Sequence, residues 1–277
     1  MSLERKLNEL GSVIQKGEEA FDLSNEKFAQ EFSVLPNEHA VAMLLFRKVI
    51  EKLDAIFILV DNGAEKSAES IARDLFENVL YLKFILNEEH FRRRALSYHY
   101  SYLKDKLSFA ILISSNTQRG KGIRSYLNKD LPMGRIEQQK KQLRQTMNKP
   151  CFRNIKNEWD RLERKKEYPK WHSLFKGPKT IKELSVECGM EPIYHILYRS
   201  YSSQVHSMNA LGQIDEIGDG LVGLRGLRNN EDYYSILLTA RSFGIGAIKA
   251  YIDFFSLESH EEFSNWYKEN IERMGTV

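Results

Sequence analysis

Apolar residues recur at helical spacing along most of the chain. Leu7, Leu10, Val13, Ile14, Phe21, Leu23 and Phe28 give a modest stripe over Leu3 to about Phe32. It predicts a helix lying against the body or a second subunit. Pro36 and Asn37 break the pattern, with Asn37 placed as an N-cap. Glu38 to Val60 is then richly apolar (Val41, Leu45, Val49, Leu53, Ile56) and ends at the turn signal Asp61-Asn62-Gly63. Between about Ala64 and Leu86, Ile71, Leu75, Val79 and Leu82 form a main stripe, with Phe76, Leu80 and Phe84 as a second apolar edge. Asn87 is the expected cap of a helix running to about Ser114, which carries Arg92, Arg93, Arg94, His99 and five aromatics.

The pattern thins after Ser114. Asn116 to Leu131 reads as irregular, and Met133–Met147 and Phe152–Lys165 read as two basic helices with narrow apolar faces. Thr180 is the expected cap of a short helix ending at Gly189, and a glycine-spaced loop lies between Gln213 and Asn230. Two helices, about Glu231–Phe255 and Ser259–Arg273, follow. The first has a small-residue face of Ala240, Gly244, Gly246, Ala247 and Ala250 that allows close packing. No strand pattern or internal repeat is visible. The expected fold is an all-α helical bundle: an N-terminal helix (1–35), a core domain (36–115 and 179–277) and a basic helical insertion, or arm (116–178).

One stretch differs from the rest. Pro192 to Ile214 contains a single charged residue, Arg199, in a chain that is 29% charged. A helix dispenses with charge when both of its sides are covered. Ile193, Leu197, Tyr201, Val205 and Met208 make one stripe of this predicted helix; His195, Arg199, Ser202, His206 and Asn209 make another. The second stripe offers a guanidinium, two imidazoles, a hydroxyl and an amide, the groups expected on the wall of a polar site. On the 64–86 helix, Arg73 and Glu77 stand one turn apart beside an apolar edge, as a surface ion pair or a partly buried one tied to a site.

Composition narrows the class. Six prolines and sixteen glycines in 277 residues suit a helical protein. The opening MSLERKLNEL lacks a basic head followed by an apolar run, so no signal peptide is expected, and no apolar stretch approaches the length of a membrane span. Cys151 and Cys188 stand far apart outside any CxxC, which fits a reducing, cytoplasmic setting. The overall charge of +3 hides a strong asymmetry. Phe91 to Lys182 holds 24 Lys and Arg against 7 Asp and Glu; the remainder holds 17 against 31. A basic middle on an acidic frame points to RNA or another phosphate-bearing partner, or to mutual attraction of the two parts within the fold or across a dimer. On the arm, Arg119, Lys121, Arg124, Lys140, Lys141, Arg144, Arg164, Lys165 and Lys166 would hold a nucleic-acid backbone without reading sequence.

No histidine pair has the spacing of a helical metal site, and no P-loop, dinucleotide fingerprint or GxSxG is present, so neither metal nor cofactor is expected. Arg199 and His206 lie two helical turns apart with Ser202 between them. An arginine steadies charge on phosphate oxygens and a histidine moves a proton, which suffices for metal-free RNA cleavage through the 2′-hydroxyl. The arrangement Arg199-SYSSQV-His206 resembles the R-x4-6-H motif of HEPN ribonucleases, all-α proteins that carry it near a dimer interface. It differs in having Ser200, where active members often carry a larger polar residue. Arg92, Arg93 and Arg94 also fall at the motif's spacing from His99, but in a basic helix, whereas Arg199 and His206 share the charge-poor one.

The segments from Ala72 (ARDLFENVLYLKFIL) and Thr180 (TIKELSVECGMEPIYHILYRSYSSQVHS) are similar to an uncharacterised prokaryotic helical family, a domain of unknown function, over roughly residues 40–255 with a gap at the arm. The HEPN resemblance implies a homodimeric, metal-independent endoribonuclease with catalytic Arg199 and His206; on the polar stripe Ser202 joins them as a catalytic candidate, His195 and Asn209 extend the site at either end, and Arg73 and Glu77 supply a second charged pair from a neighbouring helix. The resemblance also implies a toxin or anti-phage defence effector that works with a partner protein of such a system. Two further readings stay open: a non-catalytic scaffold that docks a partner or ligand on the 192–214 helix, and nucleic-acid binding without cleavage.

Overall fold

The structure, a computed structural model, describes residues 2–127, 132–198, 214–218, 221–224, 226–228 and 233–272. The fold is all-α, with one two-stranded ribbon. The chain divides into two compact units, one formed by Met1–Glu89 with Ile181–Val277 and the other by His90–Thr180.

In the first unit, α1 (Leu3–Glu31), α2 (Asn37–Asp61), α3 (Glu65–Ile85) and α10 (Tyr233–Phe255) pack into a four-helix bundle. Leu10 and Val13, Leu53 and Ile56, and Leu75 and Leu82 are buried from the stripes their spacing predicts, and α10 buries Leu237 and Ile248 together with Ala240, Gly244 and Ala247 of its small-residue face. A Cβ on Gly244 would stand 2.6 Å from Val13 and 2.9 Å from Leu53, so α10 approaches its neighbours by backbone contact. Phe46 and Tyr251 stack at 3.9 Å between ring centroids, and the Tyr251 hydroxyl donates to Ser24 Oγ at 2.8 Å. Burial pushes that phenol well above its ordinary range. A polar knot ties α1 to α10. Glu9, wholly buried, accepts from Lys6 Nζ at 2.8 Å and pairs with Arg241, while Arg5 stands 3.7 Å away.

The second unit is built on α4 (Phe91–Ser114), α5 (Gln118–Tyr126), α6 (Met133–Met147) and α7 (Arg153–Arg164), with short 3-10 turns at Pro150–Phe152 and Trp171–Lys176. The narrow apolar faces of α6 and α7 find their cover on α4. Leu96, Tyr100 and Leu103 form one core with Met147, Phe152, Ile155, Trp159, Leu162 and Leu174. The unit therefore starts at His90 and takes in all of α4 as well as the stretch 116–178. Burial, with Asp160 and Glu163 nearby, raises the Tyr100 phenol to about 12.

Local details depart from the sequence pattern at three places, in α2, α4 and α5. The cap of α2 is Pro36 and Asn37 is its first residue. Helix α4 begins only at Phe91, with His90 in the cap position instead of Asn87. The stretch read as irregular after Asn116 contains α5, which has little apolar periodicity and is held by its ends. Thr117 Oγ1 accepts from the Gly120 amide at 3.2 Å, and the Arg124 guanidinium donates to the Ser115 carbonyl at 2.7 Å and to the Ile113 carbonyl. A Cβ at Gly120 would meet the Leu112 carbonyl oxygen at 2.5 Å, so glycine is required at this approach.

In the first unit, α8 (Ile181–Glu187) gives way to a turn at Gly189, whose φ of 68° is the left-handed conformation glycine tolerates. Next comes α9 (Glu191–Ile193), with Pro192 in its first turn. It continues as a π-helical turn over Tyr194–Tyr198 instead of plain α-helix. Ile214, expected at the end of that helix, lies in a strand. β1 (Ile214–Gly218) pairs antiparallel with β2 (Leu221–Leu224), Ile214 opposite Leu224 and Glu216 opposite Val222, within the stretch read as a glycine-spaced loop. The last described elements are α11 (His260–Tyr267), capped reciprocally by Ser259 and Glu262, and a π-helical turn at Lys268–Glu272.

Candidate nucleic-acid interface

The unit His90–Thr180 carries 23 Lys and Arg against 7 Asp and Glu. Three of its carboxylates, Glu137, Glu158 and Glu163, have partners inside it. Glu158 receives Arg161 in a two-pronged contact at 2.7 and 2.8 Å and the Phe175 amide at 3.1 Å. The Arg161 hydrogen bond holds that carboxyl below the usual range against the opposing effect of burial. Glu163 accepts from Lys104 at 2.8 Å and from the Trp159 indole N–H at 2.9 Å. Glu137 pairs with Lys140, which also donates to Ser114 Oγ at 2.9 Å and ties α6 to α4.

The nine cations expected to hold a nucleic-acid backbone therefore fall into two groups. Arg124 and Lys140 are half-buried and spend their donors on closing α4 against α5 and α6. Arg119, Lys121, Lys141, Arg144, Arg164, Lys165 and Lys166 are exposed and make no salt bridge among the described residues. Arg164 reaches only the Asp160 carbonyl in its own helix, at 3.2 Å. Exposed cations that charge-run reasoning passed over extend the surface: Arg135, Lys149, Arg153, Lys170 and Lys176. Being scattered singly along the sequence, they form no visible run.

His99 lies half-buried on α4, edge-on to Phe152 with ring centroids 5.3 Å apart. Burial, then the charge of Lys149, lowers its pKa, so the imidazole is neutral at pH 7. His172 is buried and its Nδ1–H donates to the Pro178 carbonyl at 2.6 Å, a structural role.

In the first unit, Arg73 and Glu77 form the expected i,i+4 pair at 3.0 Å, each side chain about one-fifth exposed (19% and 22%), and Tyr81 OH reaches Glu77 at 3.5 Å. Helix α3, which carries the pair, touches the π-helical turn 194–198. His195 sits on that turn, 43% exposed, with Nε2 3.6 Å from the Glu191 carboxylate. The chain thus brings Arg73, Glu77 and His195 onto touching elements. Arg199, Ser202, His206 and Asn209 lie outside the described residues. Among the described residues no three His, Cys, Asp or Glu side chains gather into a metal-binding group, and no helix is long and apolar enough to cross a membrane.

Residues 39–218 match a family described as a family of unknown function (DUF5677). The chain belongs to this family. The DUF5677 match runs from α2 through the whole second unit and the charge-poor stretch to the end of β1, so it contains the basic surface and the Arg199–His206 motif together. No curated protein and no solved structure matches the chain.

Proposed function

We propose that this DUF5677 protein is a HEPN-like, metal-independent endoribonuclease. It holds RNA on the exposed cations of the unit 90–180 and cleaves it with Arg199 and His206. The observation that carries the reading is the excess and sorting of charge: a compact unit of 23 cations and 7 anions holds three of its carboxylates, Glu137, Glu158 and Glu163, in internal contacts and leaves cations on both α6 and α7 turned to solvent. A phosphate backbone is the partner such a surface attracts without sequence preference. The charge-poor stretch supplies the reactive groups. His206 takes the 2′-hydroxyl proton, the 2′-oxygen attacks the adjacent phosphorus, and the bond to the 5′-oxygen breaks as that oxygen takes a proton back from His206, leaving a 2′,3′-cyclic phosphate; Arg199 steadies the five-coordinate phosphorane and Ser202 orients the phosphate. His195, Asn209 and the Arg73–Glu77 pair flank that centre. A homodimer and a role as a toxin or defence effector with a partner protein follow from the resemblance of the Arg199–His206 motif.

The test is RNA cleavage with excess chelator by the wild type, Arg199→Ala and His206→Ala. Cleavage that survives the chelator and falls about 100-fold or more in both variants supports the proposal. Salt-sensitive binding with intact RNA reduces the chain to a binding protein, and absence of both effects overturns the reading.

A further inference from the structure

Aromatic side chains on the basic unit face water where its core would have received them. Tyr102 and Phe109 on α4 are each 54% exposed, although Tyr100 and Leu103 of the same helix are buried. They stand seven residues apart, two helical turns, on one face. Lys106 lies between them with its ammonium 5.3 Å from the centre of the Tyr102 ring. Tyr168, 97% exposed, is a further outward ring with exposed cations close by in sequence, Lys165 and Lys166 before it and Lys170 after it. Burying an aromatic ring is favourable, so rings held outward among cations are poised for a ligand that brings both a flat face and negative charge.

We infer that the Tyr102–Lys106–Phe109 face of α4 is a stacking platform for the unpaired bases of single-stranded nucleic acid. This inference rests on the RNA-binding reading above and narrows its substrate class. Seven residues of helical rise set the two backbone positions about 10.5 Å apart along the axis, about three stacked nucleotide steps of 3.4 Å. Unpaired bases expose the π-faces that such rings accept, whereas the bases of a duplex are already stacked on one another and cannot reach them. Lys106 meets a phosphate between the stacked bases. The same face of a second copy is a poorer occupant, because apposing two surfaces of a unit with this cation excess brings like charges together.

The experiment compares the affinity of the full chain for a dye-labelled 12-nucleotide single-stranded RNA and for a 12-base-pair RNA duplex, for the wild type, Tyr102→Ala/Phe109→Ala and Tyr102→Trp/Phe109→Trp. Circular dichroism confirms that each is folded. The expected result is a loss of about 10-fold or more for the single strand in the alanine variant, less than 2-fold change for the duplex, and retention of single-strand affinity in the tryptophan variant. An equal loss on both RNAs, no loss on either, or failure of tryptophan to substitute overturns the platform, while salt-sensitive wild-type binding keeps the RNA reading standing. If the wild type binds neither RNA, both fall together.

Discussion

Glu9 and Arg241 lie 232 positions apart and form an ion pair in which the carboxylate is wholly buried. Lys6, 4% exposed, donates to both oxygens of the same carboxylate, at 3.0 and 2.8 Å. Removing the one anion strands two cations in a poorly solvated place. Glu9→Ala should therefore destabilise the first unit by about 3–5 kcal/mol, read as a lowered denaturant midpoint. Glu51→Ala, which breaks a solvent-exposed pair with Lys48, should cost less than about 1 kcal/mol.

Two glycines of α10 separate packing from propensity. Gly244→Ala forces a methyl group against Val13 and Leu53 and should cost about 1–3 kcal/mol. At Gly246 an added Cβ meets nothing within 4 Å, so Gly246→Ala should stabilise the helix by up to about 1 kcal/mol. Thermal denaturation of the two variants should shift in opposite directions.

His39 packs among Phe28, Phe32 and Phe255, with centroid distances of 5.0, 4.9 and 5.6 Å. Burial lowers its pKa, against the pull of Glu38 and Glu31. The unfolded chain then binds this proton more readily than the folded one. The stability it contributes is complete above the unfolded pKa, near 6.5, and is lost as pH falls from there toward the folded value. His39→Phe should shrink the fall in midpoint temperature between pH 7.5 and pH 5.5. An unchanged pH profile would assign that fall to other groups, among them His99, whose pKa is also lowered.

Lys165 and Lys166 are exposed just past α7, and their ammonium groups make no hydrogen bond or salt bridge among the described residues. Lys165→Gln/Lys166→Gln should leave thermal stability within about 0.5 kcal/mol. RNA binding should weaken to a similar degree for every sequence. The slope of log affinity against log salt should fall by about 1 for each of the two ammonium groups that meets a phosphate in the wild type. Filter binding at several salt concentrations checks both.

The bundle of the first unit was legible because α2 and α3 repeat apolar residues at helical spacing and bury the stripes so marked, and because α10 carries small residues, of which Ala240, Gly244 and Ala247 are buried. Helix α5 was not, because its stability comes from Thr117, Arg124 and a glycine at a close approach, none of which produces periodicity. The thin faces of α6 and α7 were visible, but which helix covers them is a matter of tertiary pairing. Tyr100, Leu103, Tyr102 and Phe109 look alike on paper; only the fold separates the first two, turned into the core, from the last two, turned to solvent. Of the polar stripe, periodicity placed His195 on a helical turn, while Arg199, Ser202, His206 and Asn209 lie beyond the described residues. An even 100° wheel also missed the π-helical turn at 194–198.

The order of elements has a consequence during synthesis. Helices α1 to α3 leave the ribosome by Ile85, but α10, the fourth wall of their bundle, begins at Tyr233. At about 5–20 residues per second, the nascent three-helix fragment waits about 7–30 s with the faces that will meet α10 open to water, while the contiguous second unit can close in the meantime. That interval is when the growing polypeptide is most open to chaperone capture or to association with its neighbours on the same message.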